Sequence, residues 1–248
     1  MRIDVLTLFP EFFDTPLKVG LLGKAVHEGI LTVATHNYRD ATSDKHRTVD
    51  DTPYGGGAGM VMKVDVVAAA VDELRAVNSL ERVVLLTPKG APLTQAKVRE
   101  WAQSPDLTLL CARYEGMDER VSEAIATEEI SIGDYVLSGG ELPALVIIEA
   151  ISRMLPGVVG DWESVETDSF YNGILGPPQY TRPPVFNDRT VPEVLLSGNH
   201  AAIARWRRKE ALRATRTRRP DLLGHATESD NPLLAELARE EGEEEKGQ

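Results

Sequence analysis

Cysteine is almost absent: Cys111 is the only one in 248 residues, which excludes an intramolecular disulfide. It lies in the apolar run Leu107-Thr108-Leu109-Leu110-Cys111-Ala112, where a buried, inert thiol is expected rather than a nucleophile. The histidines, at 27, 36, 46, 200 and 225, have no ligand-like spacing with one another or with Cys111, so no metal site is expected. No apolar run approaches the roughly 20 residues that span a bilayer. Residues 1–30 lack the basic-then-apolar order of a signal peptide, and a cytoplasmic protein is expected. The cluster Tyr54-Gly-Gly-Gly-Ala-Gly-Met60 is followed by no Gly-Lys-Ser/Thr and preceded by no apolar strand. Neither a phosphate loop nor a dinucleotide fingerprint is therefore met.

What is present is ordinary for a globular chain, 42% hydrophobic and 27% charged, and long enough for one or two domains. The net charge of −12 argues against nucleic acid, but its distribution does not. Residues 199–220 carry Arg205, Arg207, Arg208, Lys209, Arg213, Arg216, Arg218 and Arg219 against Glu210 alone, a candidate phosphate-binding face. The acids concentrate in 228–248, which reads as a solvated tail.

Strand patterns at 3–8, 30–35, 82–87, 107–112 and 128–132 alternate with helical patterns at 16–28, 64–77, 94–103, 117–126 and 141–155. Near-continuous apolar strands separated by helices predict an α/β fold with a mostly parallel sheet covered on both faces. Loops at 87–92, 113–116 and 132–140 all follow strands, so they should meet at one sheet edge, where ligands bind. Residues 37–59 form a long polar loop, and loops of that length tend to be functional. Beyond 156 glycine and proline punctuate a linker-like stretch, followed by helical patterns at 191–197, 199–214 and 231–240.

The chain is organised around Ile132-Gly-Asp-Tyr-Val-Leu-Ser-Gly-Gly-Glu-Leu-Pro143. Glycines at 133, 139 and 140 allow positive φ or close backbone approach, and Pro143 is tolerated only in a first helical turn. Ser138 and Glu141 have capping-box spacing, but a helix begun at Ser138 would need an N–H from Pro143, so a start at Gly139 or Gly140 is expected. The irregular segment before it is either a tight turn or a backbone surface that reads a flat polar ring.

These residues, with Arg113-Tyr-Glu-Gly116, Asp168-Ser-Phe170, Tyr180-Thr-Arg-Pro183 and Leu195-Leu-Ser-Gly-Asn-His200, resemble the bacterial tRNA (guanine-N1)-methyltransferases from Met1 to about Leu223. Two positions depart from the family pattern, Ala58 in place of proline and Ala112 in place of glycine. The resemblance implies a SPOUT-type α/β domain with a deep C-terminal trefoil knot, followed by a small all-helical domain. The implied divisions are a cofactor-binding domain at 1–158, a linker at 159–178 that contributes to the active site, a tRNA-binding domain at 179–240 and an acidic tail at 241–248. It further implies transfer of a methyl group from S-adenosylmethionine to N1 of guanosine 37 of tRNA, with guanosines at positions 36 and 37 in the anticodon stem-loop, by a homodimer. Mg2+ enters through the resemblance alone, since no ligand cluster in the sequence speaks for it.

Carried over by position, the implied cofactor residues are Leu86, Thr87, Pro88 and Gly90 of the first loop. The second loop supplies Ala112, Tyr114, Glu115 and Gly116. The third supplies Ile132, Gly133, Asp134, Tyr135, Val136, Leu137, Ser138, Gly139, Gly140 and, at its end, Pro143. A branched Cβ at Gly140 is expected to obstruct the adenine site without unfolding the chain. Asp168 and Arg153 match the catalytic aspartate and its arginine partner; from sequence alone they also suit a helix N-cap and a helix C-terminal charge. Glu115 is an alternative base. Other readings are a SPOUT ribose 2′-O-methyltransferase and a noncatalytic RNA-binding module, although the latter gives no reason for three converging loops.

Overall fold

The structure, a computed structural model, describes residues 1–244; residues 245–248 of the expected acidic tail lie outside the described residues. The chain divides into two compact units, Met1–Gly160 and Asp161 onward. The first contains β1 (Arg2–Thr7), α1 (Gly20–His27), β2 (Thr32–Asn37), β3 (Asp50–Asp51), β4 (Val61–Met62), α2 (Val64–Arg75), β5 (Val83–Pro92), α3 (Gln95–Trp101), β6 (Asp106–Cys111), α4 (Glu119–Ala124), β7 (Glu128–Ser131) and α5 (Glu141–Ser152). The second contains α6 (Trp162–Glu166), β8 (Val185–Phe186), β9 (Arg189–Thr190), α7 (Glu193–Leu196), α8 (His200–Arg218) and α9 (Asn231–Glu244).

The main sheet has the order β2-β1-β6-β5-β7, and every pairing in it is parallel. Alternation along the strands sorts their side chains onto two faces. Ile3, Val5, Val84, Leu86, Leu107, Leu109 and Cys111 pack with α1, α3 and α5. Leu6, Val83, Leu85 and Leu110 pack with α2 and α4 on the opposite face. Because both faces are buried, the strands carry apolar residues at consecutive positions, and the expected three-layer α/β arrangement follows. Parallel pairing also puts the C-terminal ends of β5, β6 and β7 at one edge.

Some elements differ from their expected form. β5 continues past Leu86: its pairing with β7 shifts register between Leu86 and Ala91, so Thr87–Gly90 bulge from a strand that then resumes. The long 37–59 loop contains a helical turn at Tyr38–Ala41 with Tyr38 buried, and β3 pairs antiparallel with β4. No helix among the described residues is long and apolar enough to cross a membrane.

In the second unit, Ile174, Ala211, Leu212, Leu233 and Leu237 form a small core. The stretch expected as a linker thus includes α6 and contributes Ile174 to that core, and the Leu175 N–H donates to the Thr215 hydroxyl at 3.0 Å. The acids expected in a solvated tail instead line α9, where Glu236, Glu240 and Glu241 pair with cations of α8.

Candidate active site

The three post-strand loops enclose a cavity of about 390 Å³ at the C-terminal edge of the sheet. Leu86, Thr87 and Pro88 come from the first loop; Ala112, Tyr114, Glu115 and Gly116 come from the second. The third contributes Ile132, Gly133, Tyr135, Val136, Leu137, Ser138, Gly139, Gly140 and Pro143. Gly90 and Asp134 do not line it. Gly90 has another role: a Cβ there would fall 2.3 Å from the Ile130 backbone nitrogen, so glycine is what lets β5 return against β7.

The third loop reaches α5 as the proline requires. Gly140 is the N-cap with φ −81°, and Pro143 falls in the first turn, where no intrahelical donor is needed. Of the three glycines, Gly133 alone has positive φ, +147°. The other two serve close approach. A Cβ on Gly140 would lie 2.6 Å from the Cys111 Cα, a backbone atom that cannot yield cheaply. The expectation that valine at 140 leaves the fold intact is therefore corrected: its first clash is with β6, not with a ligand. Gly140 N–H also donates to the Ala112 carbonyl at 2.9 Å, and Arg113 and Gly139 form an antiparallel bridge.

Below this junction lies a charged pair that sequence reasoning passed over. Glu141, 1% exposed, faces the Arg113 guanidinium at 2.8 Å and accepts a 2.7 Å hydrogen bond from the Thr7 hydroxyl. Arg113 in turn stacks over the Phe9 ring at 4.5 Å and donates to the Ser138 carbonyl at 3.3 Å. A Cβ at Gly139 would sit 2.3 Å from Arg113 Nε, so glycine makes room for the pair. The second and third loops are thereby fastened to each other and to β1. The signal was an acid placed between two glycines and the apolar run Leu142–Ile148, but spacing made it only half of a capping box. Burial pushes the Cys111 thiol well up, with the Glu141 charge adding to it, so Cys111 is the inert thiol expected.

The cavity surface suits a nucleoside. Tyr135, Val136 and Leu137 expose apolar area at its rim, while the N–H groups of Val136, Leu137 and Ser138 have no backbone acceptor among the described residues. Open N–H groups beside apolar walls can hydrogen-bond the ring nitrogens of a flat heterocycle. Tyr114 holds φ +59°, strained for a residue with a Cβ, at the mouth of the second loop. Residues of this kind fit S-adenosylmethionine. Among the described residues no group of three or more His, Cys, Asp or Glu side chains is gathered into a possible metal site.

The chain matches the family described as tRNA (Guanine-1)-methyltransferase TrmD over residues 1–225. The chain belongs to this family. Its relatives include the tRNA (guanine-N(1)-)-methyltransferase of Synechococcus sp. (strain JA-3-3Ab), 54% identical with 95% of this chain and 94% of the relative covered. The enzymes of the same name from Dehalococcoides mccartyi and Geobacter sulfurreducens are each 51% identical, covering 97% of this chain and 98% and 99% of their own lengths. Membership in a methyltransferase family implies S-adenosylmethionine as the methyl donor.

The two residues matched to the family's catalytic pair lie in different units. Arg153 is the C-cap of α5 in the first. Asp168 follows α6 in the second, exposed, with its N–H donating to the Val165 carbonyl at 3.2 Å and its own carbonyl accepting from Tyr171 N–H. No helix begins at the residues directly following it, so the N-cap explanation for this aspartate does not apply. Glu115 lies at the second loop, its side chain against Gly59, where a Cβ would fall within 2.5 Å.

Proposed function

We propose that the protein methylates N1 of guanosine 37 in tRNA, in the cytoplasm, using S-adenosylmethionine held in the three-loop cavity. The observation that carries this is the convergence of the three loops on one cavity in a chain of a tRNA guanine-1 methyltransferase family. When bound, the cofactor supplies a methyl group on a sulfonium, electrophilic enough to be attacked by a ring nitrogen. Val136–Ser138 would hold the adenine edge through their backbone N–H groups, with the Arg113–Glu141 pair keeping the loop in place. Guanine N1 bears a proton at neutral pH, so a base must take it as the N1–carbon bond forms. The Asp168 carboxylate receives that proton, and the Arg153 guanidinium stabilises the negative charge developing on O6. Held in the cavity, the cofactor would give up its methyl carbon, and its sulfur would keep the bonding pair.

The finer architecture belongs to the same reading. The 133–140 segment threads past the second loop to form the knot; the Gly140–Ala112 hydrogen bond and the Arg113–Gly139 bridge support this. The protein acts as a homodimer, with residues 159–178 of one subunit completing the other's site and 179–240 carrying the tRNA. The cations best placed for phosphates are Arg182, Arg189, Arg207 and Arg218, which are exposed and have no acidic partner among the described residues. No step is assigned to Mg2+.

The test is to incubate unmodified tRNA carrying guanosines 36 and 37 with labelled S-adenosylmethionine and map the product. Label on N1 of guanosine 37 is expected. Label on a ribose 2′-oxygen, or none with intact binding of both ligands, would refute the assignment.

A further inference from the structure

The second unit holds a cavity of its own, about 420 Å³, between the Pro178–Pro184 segment and the α7–α8 helices. Its walls are apolar, from Pro184, Val191, Leu195 and Ile203, and its polar groups include two guanidiniums, Arg182 and Arg207, with no carboxylate among the lining residues. In a chain of net charge −12 that is an unusual balance. Arg207 is the informative residue. Its neighbours on α8 are neutralised internally: Arg205 and Lys209 by Glu236, Arg208 by Asp230 and Arg213 by Glu240. Among the described residues Arg207 alone of these five has no acidic partner, and it is the one that lines the cavity. Tyr180, another lining residue, is half exposed and is braced by Trp206, ring centroids 6.2 Å apart.

We infer that this cavity is a subsite for one unpaired RNA base, stacked on Tyr180, with the adjoining phosphate held by Arg207 and Arg182. Apolar walls and an aromatic face accept any base by stacking, and Gln179 and Thr181 offer polar groups to its edge. The guanidiniums supply the opposite charge for the backbone, which the ion-paired remainder of α8 does not. This inference rests on the reading of tRNA as substrate, and it adds a second place at which that substrate is gripped.

Unmodified tRNA transcripts, each with one abasic nucleotide at an unpaired position, would be titrated against the full-length wild type, Ile203→Trp, which fills the cavity, and Arg207→Ala. One abasic position is expected to weaken wild-type binding by about 10-fold, within the usual worth of one stacked base. Ile203→Trp should bind intact tRNA about 10-fold more weakly and lose nothing further at that position. Arg207→Ala, an exposed change that does not threaten folding, should lower the slope of log affinity against log salt by about one. S-adenosylmethionine affinity measured by calorimetry should be the same in all forms, which verifies folding of the first unit. The subsite is overturned if abasic penalties are identical in wild type and Ile203→Trp while guanosine 37 is still methylated, a result that leaves the proposed function standing. It is also overturned if Ile203→Trp dissociates a dimer, seen by sedimentation, without altering tRNA affinity, since the occupant is then a second copy. Failure of the wild type to bind any intact tRNA would overturn both readings.

Discussion

Glu141 and Arg113 show how much of the third loop, the proposed cofactor loop, is settled beneath its surface. Removing one member of a buried ion pair leaves the other uncompensated, at a cost of about 3–5 kcal/mol. Arg113→Ala is therefore expected to lower the melting temperature and to weaken S-adenosylmethionine binding, because the Ser138 carbonyl loses its donor as well. A variant with unchanged melting and affinity would show that the pair does not hold the loop. Gly140→Ala should destabilise the chain through its backbone contact with Cys111, whereas Gly139→Ala meets only side-chain atoms of the Arg113–Glu141 pair and should cost less, by loosening that pair. Chemical denaturation of both variants checks the order. For the chemistry, Asp168→Asn is expected to keep both ligands bound and to slow single-turnover methylation by roughly two to four orders of magnitude, the worth of a positioned base. Near-normal turnover in that variant together with a dead Glu115→Gln would move the base to Glu115. The glycines were legible as a group from sequence, but their separate reasons were not. Gly133 needs its φ, Gly139 makes room for a side chain and Gly140 for a backbone, and only the packed neighbours distinguish these.

At the scale of elements, the strands were legible because burial on both faces writes long apolar runs, and the loops because glycine and proline interrupt them. The resumption of β5 after its bulge was not, since Gly90 looks like any loop glycine until β7 lies against it. The pairing of α9 with α8 was hidden for a similar reason. Two charge blocks separated in sequence read as a basic face and a solvated tail, and it is Leu233 and Leu237 in the small core that bring them together. Arg208 holds the Asp230 carboxyl down to about 2, aided by the Thr227 N–H and hydroxyl, and Lys209 and Arg205 hold Glu236 to about 2. Both lie below the ordinary carboxylate values near 4. Their contribution to stability is thus fully present above about pH 4 and is lost as pH falls from there toward 2, because the unfolded chain takes up these protons first. Acid titration should unfold wild type in that window, and Asp230→Asn should remove part of the dependence while lowering stability by about 2 kcal/mol. Glu236→Gln with Glu240→Gln frees Lys209 and steepens the salt dependence of tRNA binding. An unchanged slope would mean that these cations do not face the RNA.

On the scale of the whole molecule, the acidic total and the RNA substrate are compatible because so many cations of α8 already have protein partners, which leaves a few exposed arginines to meet phosphates. Neither the proposed threading of the chain nor the proposed dimer is legible from periodicity; both enter through resemblance, since parallel α/β patterns look alike whether or not the last loop is threaded. The central claim of the proposed function is that Arg153 of one chain works with Asp168 from the partner chain. The measurement is methylation of guanosine 37 by verified mixed dimers of one Arg153→Ala subunit and one Asp168→Asn subunit. One site of such a dimer then carries both defects and the other carries neither, so about half of the wild-type activity is predicted. Activity no higher than that of the two parent variants would contradict it and place Arg153 and Asp168 of one chain in the same site.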